Sequence, residues 1–253
     1  IHNSGTVVFN GATAISGSGT SSFCNVTISG ALTAPAGTLT VAGNWNGSAG
    51  TFSNNTGTVI LDGTAAQGVT TGGAWDEATT NNNWKNNWCT LVVSNSSAGG
   101  VSFADGFAAS NFICTVPNAT LYFQWQDYVT NVFEITASGG LNIQGSAGLE
   151  IKLRRYGGSE SNQWEIYPSS ADHVWTVDYV DVSNSVNSAD QHINPANYID
   201  SGNNVNWFTP TVVTVEWLAA IGRSNSVTVR WKTASEVNNA GYNVYRSLSP
   251  TGE

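Results

Sequence analysis

The sequence predicts an all-β protein built by stacking a repeated unit, on three observations. GTVVFNG at 5–11 returns as GTVILDG at 57–63, and FCNVTIS at 23–29 returns as WCTLVVS at 88–94. Self-similarity of this length marks a chain assembled from one structural unit. Short runs rich in β-branched residues, each bounded by Gly, Asn, Ser or Asp, recur along the chain in the pattern of strands between turns. No long window of helical period competes with them.

The strand signals come in order at Val7 to Phe9, Val26 to Ile28, Leu39 to Val41, Val59 to Leu61, Leu91 to Val93 and Val101 to Phe103. Asn10-Gly11 and Asp62-Gly63 are dipeptides that favour tight hairpins. Their return at the ends of equivalent strands fits instead a coil whose corners stack, as in a right-handed parallel β-helix. The first repeat pair is offset by 52 residues and the second by 65, so the second copy holds 13 extra residues. A segment that tolerates such an insertion is a loop.

From about 119 onward ATLYFQW, NVFEITASGGLNIQG, GLEIKLRR, NQWEIYP and HVWTVDYVDVSNS each read as a strand. In the last, alternation sets Val174, Thr176, Asp178 and Val180 on one face and Trp175, Val177, Tyr179 and Asp181 on the other. Polar residues from Ser183 to Asn206, ending in DSGNNVNWF, close a first domain at 1–208. After Pro210 the texture changes, and 211–253 carries three strand signals with apolar alternation at Val227, Val229 and Trp231 and again at Tyr242 and Val244.

Only 10% of the 253 residues are charged and 27 are Gly, while 40% are hydrophobic and 11% aromatic. A chain this apolar repays its ordering entropy by burial and is not disordered. The net charge of −9 offers no basic face for nucleic acid or an anionic membrane. No apolar run is long enough to span a bilayer. The chain has no Met and begins at Ile1, so it reads as either a processed product or a fragment, and the expected localisation is extracellular with a removed signal peptide. Cys24, Cys89 and Cys114 lack CxxC spacing, which excludes a standard zinc site. Cys24 and Cys89 hold the same place in the two repeat copies and read as small buried hydrophobes, with a Cys89 to Cys114 disulfide as the sharper alternative.

The unit GTVVFNG…NVTISGALTAPAGTLTVAGNW…GTFSNNTGTVILDG resembles the β-helical repeats of bacterial surface proteins of haemagglutinin or adhesin type. The segment LNIQGSAGLEIKLRR…QWEIYP…WTVDYVDVSNS…DSGNNVNWF is similar to the closing region of such arrays. This resemblance covers roughly 1–208 and implies an extracellular parallel β-helix without enzymatic activity. The string WKTASEVNNAGYNVYRS resembles the first strands of a bacterial fibronectin type III domain. That likeness implies a partial immunoglobulin-like β-sandwich over 211–253, with Trp231 as the core Trp of its second strand and Tyr242 and Tyr245 in the third. A full sandwich has seven strands. An incomplete one leaves an apolar face open: either the missing strands lie beyond Glu253, or a neighbouring copy covers the face by strand addition, with Trp217, Trp231, Tyr242, Val244 and Tyr245 the residues expected at such a contact.

Candidate chemistry is sparse. A β-helical polysaccharide lyase or hydrolase would need a paired base and acid, often with Ca²⁺. Asp178 and Asp181, with Asp172 and Asp190 near, form the best acidic cluster, and Lys152, Arg154 and Arg155 the only basic one. Three positions apart on a regular strand, Asp178 and Asp181 face opposite ways, so they read as solvated residues, with Asp178 the candidate Ca²⁺ ligand. His2, His173 and His192 are scattered, and no GxSxG elbow is present.

The insertion AWDEATTNNNWKNNWC at 74–89 is the more pointed feature. It places Trp75 and Trp84 among Asn side chains, where flat rings suit loop anchoring, a protein contact or sugar stacking. Trp88 matches Phe23 of the first copy and reads as core. The expected function is a structural surface protein, a subunit of a filament or appendage that associates head to tail. A carbohydrate-binding module for cell-surface glycans is second and a polysaccharide-degrading enzyme third.

Overall fold

The computed structural model describes residues 4–73, 86–125, 132–168, 174–189, 191–209, 214–235 and 241–244. The chain forms two compact units, Ile1–Phe208 and Thr209–Glu253. Among the described residues every regular element is a strand. Trp75, Trp84 and Tyr245 lie outside the described residues, as do His2, Asp172, His173 and Asp190.

In the first unit the chain visits three faces in a repeating cycle. The first turn is β1 (Thr6–Phe9), β2 (Ala12–Ala14) and β3 (Thr20–Phe23). The second is β4 (Asn25–Ile28), β5 (Ala31–Thr33) and β6 (Thr38–Val41), and the third is β7 (Trp45–Asn46), β8 (Thr51–Ser53) and β9 (Thr58–Leu61). In the next three turns one long strand serves the second and third faces together. These turns are β10 (Gln67–Thr70) with β11 (Asn86–Val93), β12 (Val101–Phe103) with β13 (Phe107–Cys114), and β14 (Thr120–Gln124) with β15 (Val132–Gln144). Then come β16 (Ile151–Tyr156), β17 (Trp164–Pro168) and β18 (Val174–Asp178), followed by β19 (Val180–Val182), β20 (Ser185–Asn187), β21 (Tyr198–Asp200) and β22 (Asn204–Val205).

All pairing within this unit's strand ladders is parallel, with each strand lying on its counterpart in the turn before. The first face is a nine-stranded sheet in the order β1-β4-β7-β10-β12-β14-β16-β19-β21, and the other two faces merge into a sheet of thirteen strands. No hairpin forms at Asn10-Gly11, because β1 pairs with β4 and not with β2. Val7 opposes Val26, and Val26 opposes Trp45, so a compact turn takes 19 residues. Val69 opposes Phe103, so the turn holding 74–85 takes 34.

This register corrects the reading of the internal repeat. Thr6–Phe9 and Asn25–Ile28 are neighbours on the first face, whereas Thr58–Leu61 and Thr90–Val93 are neighbours on the third. Each copy therefore contains two strands stacked directly on one another, and the two copies sit on different faces. The strand pair is repeated because any face of a stacked turn needs the same thing, apolar residues at alternate positions pointing inward.

The inward columns make the core. On the first face Val26, Trp45, Val69, Phe103, Phe123 and Leu153 are buried, and on the third Val41, Leu61, Val93, Cys114 and Ile143 line up in register. Between the columns aromatic rings fill the interior. Phe123 stacks on Trp164 at 4.4 Å and on Phe103 at 5.3 Å, Trp88 meets Phe107 edge-on at 5.1 Å, and Trp164 meets Trp207 at 5.7 Å. Trp88 is core, as the match with Phe23 predicts.

Corners pose a different problem, because the backbone must turn sharply while its polar groups stay satisfied. Asparagine solves both parts. Asn55, Asn118, Asn184, Asn194, Asn203 and Asn206 all hold positive φ, a region that Asn tolerates better than most residues. Elsewhere amide side chains tie one turn to the next. Asn25 Oδ1 accepts from the Asn44 backbone N–H at 2.8 Å, and Asn44 Oδ1 accepts from that of Gly68 at 2.8 Å. The buried Gln67 donates to the carbonyls of Val41 and Gly43 and accepts from Asn95 and the Gly63 N–H. Asn86, fully buried, donates to the carbonyls of Gly47 and Thr71 and accepts from Trp45 Nε1.

One such corner overturns the single strand expected over HVWTVDYVDVSNS. Tyr179 adopts φ 47, which ends β18 and starts β19 on another face. Alternation restarts there, so Val177 and Val180 are both buried although a continuous strand would point them opposite ways.

The second unit is an antiparallel pair, β23 (Thr214–Gly222) and β24 (Val227–Ser235). The third strand expected at Tyr242 and Val244 does not form among the described residues, where 241–244 have no strand pairing.

Candidate functional site

The two-stranded unit carries most of the residues expected at an assembly contact. Its register sets Leu218 opposite Trp231, Ala220 opposite Val229 and Gly222 opposite Val227, an apolar run along one face that ends at Thr233 opposite Val215. On the other face Trp217 and Ile221 stand among Thr228, Arg230 and Lys232. Exposure is high for such residues: Leu218 68%, Val227 65% and Trp217 45%. Val244 is also exposed. Trp231 is 37% exposed and meets Tyr242 edge-on at 5.2 Å, so it is not enclosed as the core residue of a sandwich would be. The Glu216–Lys232 ion pair at 2.6 Å is largely in solvent and adds little.

An isolated two-stranded pair is marginal in water, and a contiguous apolar face of this kind suits a contact. Among the described residues β1 pairs with β4 alone and β21 with β19 alone. The first turn is also open, with Val7 and Val8 exposed.

Asp178 and Asp181 lie on different faces, and each is occupied. Asp178 Oδ1 accepts from the backbone N–H of Tyr179 at 2.9 Å and from the backbone N–H and Nδ2 of Asn197, both at 2.8 Å. The carboxylate thus fastens the Tyr179 corner to the following turn. Asp181 pairs with Arg154 and accepts from Ser201 Oγ at 2.6 Å. No group of three or more His, Cys, Asp or Glu side chains converges among the described residues.

The cysteines are free, which corrects the disulfide alternative. Cys89 is flanked by Trp88 opposite Ala109 and Thr90 opposite Asn111, whereas Cys114 lies opposite Val93. Four residues of strand separate the two positions, roughly 10 Å or more at strand rise, beyond the ~7 Å reach of a disulfide. Cys24 and Cys89 both occupy corners and are half-buried rather than buried; the enclosed thiol is Cys114. Loss of hydration raises the Cys114 thiol from 9.0 to about 11, against a smaller lowering by its hydrogen bond with the Val116 backbone.

Two acids that the sequence reading passed over are buried. Glu134 and Glu165 are 3% and 9% exposed, on the neighbouring strands β15 and β17. Their flanks gave the signal, since Phe133 and Ile135, and Trp164 and Ile166, alternate into the core and turn both acids outward. No protein-family model, curated protein or solved structure matches the chain.

Proposed function

We propose that the first unit is a parallel β-helix and that the chain is an exported structural protein, one subunit of a cell-surface filament or appendage that self-associates through strand contacts. The observation that carries this reading is the apolar run of β23–β24, with Leu218, Val227 and Trp231 open to solvent on a sheet that has two strands among the described residues. A second copy is the occupant that fits best. Among the described residues β1 and β21 are each paired on one side, and backbone on the other side suits an added strand; a non-closing head-to-tail contact propagates. The low charge supports the same reading, because strands stack about 4.8 Å apart and ladders of like charge would repel.

Light scattering over a dilution series, with electron microscopy of the same samples, tests it. Mass that grows with concentration and visible filaments are expected, and Leu218→Ser with Trp231→Ser should abolish both. A monomer at every concentration would contradict the proposal.

A further inference from the structure

A second surface, on the outer side of the first face, is chemically unlike the rest of the molecule. Three of the chain's eight Lys and Arg residues fall within 152–155, and they line an open concavity of about 480 Å³ together with Tyr122, Ser183 and Asn184. None of its lining residues is acidic. In a chain of net charge −9, this concentrates positive potential at one place.

The strand register creates the cluster. Lys152 and Arg154 alternate outward from β16, between the buried Ile151 and Leu153, roughly 7 Å apart at strand rise. Tyr122 lies directly opposite Arg154 on β14, and Asp181 opposite Lys152 on β19. The charged heads are held in place. Lys152 Nζ donates to Asn118 Oδ1 at 2.8 Å. Arg154 pairs with the Asp181 carboxylate and donates to the backbone carbonyls of Leu153 and Asp181. Arg155 donates to the Gly157 carbonyl, while its Nε, also buried, has no partner. Asp181 offsets one of the three cations, which leaves a surplus of two. Cations fixed before binding lose less entropy when an anion arrives.

We infer that this concavity binds an acidic polysaccharide, through carboxylate or sulfate groups on successive sugars. An open surface accepts an internal stretch of polymer, whereas a single small anion would need enclosure. Tyr122 offers a ring to a sugar face, and Ser183 and Asn184 offer neutral hydrogen-bonding groups for hydroxyls. A nucleic acid is disfavoured, because a surplus of two charges against a background of −9 releases too few counterions to hold a polyphosphate. The inference stands apart from the assembly proposal, since it uses a different face and requires no second copy.

Calorimetric titration of the intact chain with polygalacturonate, dextran sulfate, neutral dextran, inorganic phosphate and a thymidine oligonucleotide is the test. At 50 mM NaCl at least one acidic glycan should bind, at least tenfold more weakly at 300 mM, while neutral dextran should not bind. Lys152→Gln with Arg155→Gln should weaken that binding about tenfold or more. If the double variant fails to fold, Lys152→Gln alone, at an outward side chain, should weaken it at least threefold. Binding unchanged by a folded variant would overturn the inference. So would phosphate or the oligonucleotide binding as tightly as the glycan, or no glycan binding at low salt.

Discussion

Trp164 and Trp231 both stand on strands, yet they meet opposite fates. Trp164 is 1% exposed, stacked on Phe123, edge-on to Trp207, and its Nε1 donates to the Ser183 carbonyl at 3.1 Å. Trp231 is 37% exposed and has Tyr242 beside it. The difference is one of neighbours. In the stacked unit an inner turn has another above and below, so a ring such as Trp164 is enclosed by rings far from it in sequence. A two-stranded pair has an open side on both faces, and its aromatics stay open until something else covers them.

The largest expected effect follows from that contrast. Trp164→Ala should cost about 3 to 5 kcal/mol of unfolding free energy, the range for emptying an aromatic site in a core. Trp231→Ala should change the stability of the isolated chain by less than ~1 kcal/mol. Urea unfolding of both variants checks this, and equal losses would erase the distinction between the two regions.

A smaller effect separates buried corners from exposed ones. Asn86→Ala leaves the Thr71 carbonyl and the Trp45 Nε1–H unpaired inside the molecule and takes from the Gly47 carbonyl one of its two donors, the other being the Gly50 N–H, at a cost of about 3 kcal/mol. Asn25→Ala removes an exposed link between turns and should cost less than ~1 kcal/mol. Thermal unfolding of the two variants ranks them, and a reversed order would show that exposed amide ladders carry more of the stack than buried ones.

The smallest effect is tied to pH. Cys114 keeps its proton in the fold up to about 11, while an exposed thiol ionises near 9.0. The stabilisation by this group is therefore complete below pH 9 and lost as pH rises toward 11. Relative to Cys114→Val, the native chain should lose about 1 to 3 kcal/mol across that window. Parallel stability curves for the two proteins would show that the thiol titrates normally.

The sequence made the strands legible because alternation of Val, Ile, Leu and Phe between turn residues is a local signal, and β4, β6, β9 and β12 fall where it points. Corners were less visible. Tyr179 at φ 47 is an atypical corner residue, so WTVDYVDVS read as one strand and the two aspartates as one cluster. Likewise the repeat of GTV-type strands was plain, but which face each copy occupies depends on how many residues fill the turn between them, and loop length carries no signature of direction. Lys152, Arg154 and Arg155 were conspicuous as a run. Their concavity was not, because Tyr122, Ser183 and Asn184 come from neighbouring turns and meet them only through register.

Hydrogen exchange read by mass spectrometry across a concentration series tests most directly whether the inner turns of the stack are stable without a partner while the β23–β24 pair is completed by another copy. Amides of β12, β14 and β16 should be protected equally at every concentration. Those of β23 and β24 should exchange quickly in dilute samples and slow at least tenfold as concentration rises. Full protection of β23 and β24 in the dilute monomer, unchanged on concentration, would contradict it.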